Sequence, residues 1–251
     1  MSVEIRIGTS GFYYEHWKGV FYPEDLPKSR FFEYYCRYFD TVELNSTFYH
    51  LPKAKTIEHW RSKSPDGFLF ALKAYRAITH YKRLVDVEDE LYRFLHLVKP
   101  LRPKLGPILF QLPPSLHKDL NVLESFLHLL PPSYRFAVEF RHRSWYEEEI
   151  FDLLRKFGVA LCIHDFGKKQ TPLEVTSDFV YIRFHGPSGR YRGSYDDEVL
   201  REWAKKIVAF ERDVFCYFNN DYEGNAVKNA FTLKAFVAQV KKQESLDAFG
   251  S

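Results

Sequence analysis

Phe136-Ala137-Val138-Glu139-Phe140, then Ile150, Phe151, Leu154 and Phe157 at helical spacing, then Gly158, then Val159-Ala160-Leu161-Cys162-Ile163, read as one strand–helix–strand unit. Gly158 stands where a helix ends in a left-handed cap. Two strands joined by a helix favour parallel pairing. The same alternation extends upstream. Runs at Ile5 to Gly8, Thr41 to Leu44, Phe68 to Lys73 and Ile108 to Gln111 are each followed by apolar residues at helical spacing, as in Leu91, Phe94, Leu95 and Val98. Downstream, Phe179 to Phe184 and Val214 to Phe218 precede helices through Leu200, Trp203 and Ile207, and through Ala230, Leu233, Val237 and Val240. Only a short loop with Gly and Pro separates the sixth run from the seventh. The expectation is an α/β protein, a single (β/α)8 TIM barrel with seven clear outer helices and a short connection between strands 6 and 7. It forms one domain over 1–251, with a loosely ordered tail from about 242.

Composition bounds the function. The chain has 251 residues, 45% hydrophobic and 18% aromatic, which rules out disorder. Its 36 Lys and Arg against 33 Asp and Glu leave +3, too balanced to mark a nucleic-acid binder by bulk charge. Any anion site must come from local clustering. Cys36, Cys162 and Cys216 lie far apart without metal-type spacing and read as buried thiols in a reducing compartment. No apolar signal core opens the chain and no run approaches the ~18 residues of a membrane span. A cytoplasmic location and no membrane partner are expected; the oligomeric state is not readable.

Barrels of this kind keep their working groups at the C-terminal strand ends. Those ends hold Ser10, Glu43 and Asn45, Lys73, Gln111, Glu139 and Arg141, His164 and Asp165, Arg183 and His185, and Asn219, Asn220 and Asp221. Residues two apart share a strand face, so Glu43 with Asn45, Glu139 with Arg141, and Arg183 with His185 point together. Only one of the adjacent His164 and Asp165 can point inward. After the seventh run, Gly186, Gly189 and Gly193 can bring N–H groups to an anion, with Arg190 and Arg192 as donors. Phe12, Tyr13, Tyr14, Trp17, Phe48, Tyr49, Trp145 and Tyr146 crowd the same face, where core or lid packing is the default for most of them.

The blocks Gly8-Thr9-Ser10-Gly11-Phe12, Thr41 to Tyr49, Gln111-Leu112-Pro113-Pro114, Glu139-Phe140-Arg141, Tyr181 to Gly186 and Phe218-Asn219-Asn220-Asp221 resemble the YecE-like TIM-barrel family called domain of unknown function 72. The resemblance covers essentially the whole chain. Phe12 stands where the family usually has Trp, which keeps a ring. The resemblance implies the barrel fold and brings no established reaction.

The chemistry must therefore come from the residues. Glu43 and Glu139 are either acid–base groups or the neutralising partners of Lys73, Arg141 and Arg183. A glycosidase reading is disfavoured by Gln111 and His185 at the strand ends where common barrel glycosidases carry carboxylates. A metal set of Glu139, His164 or Asp165, His185 and Asp221 is opposed by charge: two inward carboxylates face three inward cations. Lys73 could form a Schiff base, but pairing with Glu43 is the plainer role. The resulting expectation is an enzyme of hydrolase or lyase type, without metal or other cofactor, acting on a phosphate ester, nucleotide or nucleic-acid fragment. Glu139, His185, Lys73 and Glu43 are the candidate catalytic groups. Arg141, Arg183, Arg190, Arg192, Asn45, Gln111, Asn219, His164, Ser10, Tyr13 and Trp17 are the ligand-binding candidates. A non-catalytic nucleic-acid-binding protein and a metal-dependent hydrolase are the alternatives.

Overall fold

The computed structural model describes residues 3–166, 169–189 and 191–249, so Arg190 lies outside the described residues. Strands β1 (Ile5–Thr9), β2 (Thr41–Leu44), β3 (Leu69–Lys73), β4 (Leu105–Gln111), β5 (Phe136–Glu139), β6 (Ala160–Phe166), β8 (Phe179–Phe184) and β9 (Asp213–Phe218) form the wall of a barrel. Every neighbouring pair from β2 through β3, β4, β5, β6, β8 and β9 to β1 is parallel. Between β6 and β8 the chain makes no helix among the described residues. Lys169–Gln170 (β7) turns back antiparallel on β6, which accounts for the short connection read from the sequence.

Helices α1 (Phe31–Tyr35), α3 (Ala54–Lys63), α4 (Glu88–Val98), α5 (Leu120–His128), α6 (Glu148–Phe157), α7 (Asp197–Ala209) and α8 (Asn225–Phe249) surround the wall, with a single turn, α2 (Ser46–Tyr49), after β2. Asp119 caps α5 by accepting from the Val122 N–H at 3.0 Å. Gly158 ends α6 at φ 63°, the conformation that its lack of a Cβ makes inexpensive. The last helix runs on to Phe249. Its segment 241–249 contains no Gly or Pro to stop it, and Gln243 donates to Asp247 one turn on.

Two apolar layers hold the molecule. The larger lies between wall and helices, with Phe70, Phe94, Phe110, Phe126, Leu154 and Ile207 among its buried members. The smaller fills the barrel itself: Ala71, Ala137 and Ala160 on one side leave room for Phe179, Tyr181, Phe215 and Tyr217 on the other. Large rings opposite small side chains let a narrow interior close without voids.

The wall is not sealed by a strand ladder everywhere. Between β1 and β2 the described residues make only a bridge from Ser10 to Glu43. Beside it, Gly8 comes so close to β2 that a Cβ would lie 2.5 Å from the Thr41 carbonyl oxygen. The Tyr35 hydroxyl completes the seam. It donates to the Thr41 carbonyl at 3.0 Å and accepts from the Thr9 N–H at 3.1 Å. Tyr35→Phe strands the buried Thr9 N–H, a loss of about 1–3 kcal/mol. The expected outcome is a Tm lowered by several degrees in thermal melts; an unchanged Tm would show that the seam does not need the hydroxyl.

Candidate functional site

Alternation carries the strand pattern up to the C-terminal mouth. On β5, Ala137 faces the interior, then Glu139, then Arg141; on β8, Tyr181 leads to Arg183 and His185. On β6 the same parity selects His164. It is buried, whereas Asp165 is half-buried beside Tyr195, and burial pushes its carboxyl up to about 6.

Arg183 lies across the barrel, 1% exposed. One guanidinium nitrogen donates to Glu139 Oε2 at 2.6 Å and the other to Glu43 Oε1 at 2.7 Å. Glu43 is further held by the Ser10 hydroxyl at 2.6 Å and the Tyr181 hydroxyl at 2.7 Å. Glu139 also meets Arg141 Nε and, at 3.2 Å, His185 Nε2. Burial alone would raise the Glu139 carboxyl, but Arg141 and Arg183 hold it well below the usual carboxylate range. Burial pushes His185 down to about 3, so its ring is neutral. Neutrality fits its neighbours in two self-consistent ways. Nε2–H donates to Glu139 while Nδ1 accepts from Asn219, or Nε2 accepts from Arg141, 3.0 Å away, while Nδ1–H faces Asn219 with its amide turned.

Arg183 was expected to hold an anion. It is instead neutralised on both sides and out of a ligand's reach. The register explains why Lys73 does not pair with Glu43, the plainer role expected of it. Glu43 stands level with Ala71 on β3, so Lys73 lies two residues further toward the mouth. There its ammonium donates to Gln111 Oε1 at 2.8 Å and sits 4.0 Å from the centre of the Phe48 ring. Among the described residues no carboxylate pairs with it. Burial, then the nearby Arg183 and Arg141, bring it down to about 8 despite Glu139 and Glu43.

Beyond Lys73 the chain enters a turn of π-helix, Ala77–Tyr81, a form common where backbone is shaped for function. It brings Arg76, between Tyr49 and Tyr81 at 5.9 and 5.2 Å from their ring centres, and His80, edge-on to Phe48. Burial and the charges of Lys73, Arg141 and Arg76 push His80 down to about 4, so one ring feels all three cations. Arg76, His80, Tyr81 and Tyr181 are site residues that the strand-end reading omits. Tyr181 could have been found by stepping back two residues from Arg183. The other three lie in a loop whose sequence carries no periodic signal.

The remaining candidates fall in several places. Ser10, Gln111 and Asn219 orient the charged groups, and Asn45 has a buried Oδ1 without a hydrogen-bond partner among the described residues. His164 donates through Nε2 to the Phe140 carbonyl at 3.0 Å, and burial lowers its ring below the ordinary value. Trp17 is fully buried, not a ligand platform. Its indole N–H donates to Asp221 at 2.6 Å, and Asp221 also meets His16, apart from the group formed by Glu139, His164 and His185. Tyr13 is exposed beside Phe31 at the rim, and Arg192 lies over Tyr222. In the loop after β8, the Gly186 N–H goes to the Tyr195 hydroxyl and the Gly189 N–H to the Gly186 carbonyl. Those two groups are not presented to an anion. Gly186 is needed for closeness, since a Cβ would lie 2.2 Å from the Arg192 carbonyl oxygen.

Glu139, His164 and His185 do approach within reach of one metal ion. Arg141 and Arg183 already occupy the positive positions against Glu139. A divalent cation there would have to overcome both. A cavity of about 690 Å3, lined by Leu127, Pro131, Tyr134, Arg135 and Phe157 among others, opens at the other end of the barrel, where such folds hold structure rather than chemistry.

A family model described as Protein of unknown function DUF72 matches residues 6–248. The chain belongs to the DUF72 family. It is 29% identical to the UPF0759 protein YunF of Bacillus subtilis, over 83% of this chain and 86% of that protein. Against the UPF0759 protein YecE of Escherichia coli it is 36% identical over 121 residues, 47% of this chain and 44% of that one. Among solved structures, a DUF72 family protein of Thermotoga maritima matches with TM-score 0.86 and 33% identity, over 94% of this chain and 99% of that one. One from Enterococcus faecalis, at 21% identity and TM-score 0.82 over 93% of this chain and 95% of that one, shows the same fold. No helix among the described residues is long and apolar enough to cross a membrane.

The buried charges make a stability test. Arg183→Met leaves two enclosed carboxylates facing each other, at a cost of about 3–5 kcal/mol. Lys73→Met abandons no carboxylate and should lower stability far less. Urea unfolding of both variants measures the difference; equal midpoints would deny Arg183 its bridging role.

Proposed function

We propose that this DUF72 protein is an enzyme that binds an anionic ligand, a phosphate ester, nucleotide or nucleic-acid fragment, at the C-terminal mouth and acts on it by acid–base chemistry without a metal. One observation carries the reading. Both interior carboxylates are taken up by Arg183 and its neighbours, while Lys73 and Arg76 reach the mouth beside Arg141 and, among the described residues, pair with no carboxylate. The unbalanced positive charge collects where a ligand arrives and can stabilise charge developing on it. Lys73 is the group suited to exchange a proton near neutral pH, because its depressed value lies close to the working range. Glu139, ionised and saturated, orients Arg141 and His185 instead.

A second reading, a nucleic-acid-binding surface, is favoured by the exposed Tyr49 and Tyr81 on either side of Arg76. Rings beside a cation can stack bases along a strand. Steep weakening of single-strand binding with salt would support it.

Calorimetric titration with inorganic phosphate and with a nucleoside monophosphate tests the principal reading. Lys73→Met and Arg76→Ala should each weaken binding about 10-fold or more, the worth of one charged contact. Affinity should also fall as pH rises through about 8, because the Lys73 ammonium is lost there. Unchanged binding in both variants would overturn the site.

A further inference from the structure

We propose that Lys73 is a nucleophilic amine that condenses with the carbonyl group of an anionic ligand to form an imine. The inference rests on the anion-site reading and names its substrate class: small anions that carry an aldehyde or ketone, such as oxo acids or phosphorylated carbonyl compounds.

The plain role for a strand-end lysine is an ion pair, and the register withholds it. Glu43 lies level with Ala71, where Ser10, Tyr181 and Arg183 all donate to it. Glu139 is filled by Arg183, Arg141 and His185. Lys73 Nζ is left with a neutral amide, Gln111, and the face of Phe48. A neutral acceptor orients the amine without fixing it as an ammonium ion, as a carboxylate would. Arg183 and Arg141 add like charge near it, which with burial favours the uncharged amine. Arg141 and Arg76, which with Lys73 act on the one His80 ring, suit the anionic end of a ligand whose carbonyl lies toward Nζ.

The step balances without a further reagent. The ammonium sheds one proton, and the freed lone pair attacks the carbonyl carbon as the C=O π pair moves onto oxygen. A second N–H proton passes to that oxygen to give the carbinolamine. The shed proton then returns to the hydroxyl, which departs as water, and the nitrogen lone pair forms the C=N bond. Lysine ammonium plus carbonyl gives protonated imine plus water.

The test uses the full chain with glyoxylate, a small anionic aldehyde, at pH near 8, trapping any imine with borohydride and locating it by peptide mass spectrometry. No variant is required, so folding does not confound it. Lys73 should gain a carboxymethyl group at least about 10-fold faster than an exposed lysine such as Lys55, the excess expected of an amine that is about half unprotonated at that pH. Inorganic phosphate should slow it. Labelling of Lys73 at the rate of Lys55 overturns the proposal. Calorimetry with phosphate on the same preparation separates the two readings. Phosphate binding without selective labelling removes only the covalent step, and absence of both removes the anion site as well.

Discussion

The guanidinium of Arg183 spans the barrel interior and ties β8 to β2 through Glu43 and to β5 through Glu139. Three strands that are not neighbours in the wall meet at one buried charge. Enclosing a cation and two carboxylates is unfavourable unless each is matched, and the surroundings are arranged to match them. Ser10 and Tyr181 add hydrogen bonds to Glu43, and Arg141 lies against Glu139. The rings of Tyr181 and Tyr217 and the three small alanines beneath set the width that lets one arginine reach both sides. Removing any member leaves the others charged and dry. The layer therefore acts as a rigid floor under the mouth.

Above that floor the charge changes character. Lys73, Arg76 and Arg141 bring positive charge to the side of the mouth made by the ends of β3 and β5, and burial followed by that charge pushes the His80 ring down. The floor is nearly self-sufficient and the rim is not. That contrast, rather than the presence of charged residues as such, separates groups that maintain the fold from groups available to a ligand.

Much of this arrangement follows from sequence, but only to a certain depth. Apolar runs ending in polar residues place every wall strand and its working end, because a strand between helices and interior can carry polar groups only where it emerges. The two-residue period finds Glu139 with Arg141 and Arg183 with His185 for the same reason. Partnership across the barrel does not follow. Whether Glu43 meets Lys73 or Arg183 depends on register and strand slant, and a shift of two residues along β3 exchanges one answer for the other. Trp17 shows a second limit. An aromatic just beyond a strand end looks like a platform until its ring is found buried and its indole N–H satisfied by Asp221. Arg76 and His80 depend on an irregular turn, for which no repeating pattern exists.

The seam between β1 and β2 gives the barrel a direction of compliance. Elsewhere each strand is sewn to its neighbours by its own amides, but here one phenolic hydroxyl and one bridge do that work. The bridge joins Ser10 to Glu43, the same two residues whose side chains are hydrogen-bonded. Any parting of the two strands at the mouth therefore draws on the Arg183 layer, and any tightening of that layer draws the lips together. A mechanical hinge and an electrostatic one share the same pair of residues.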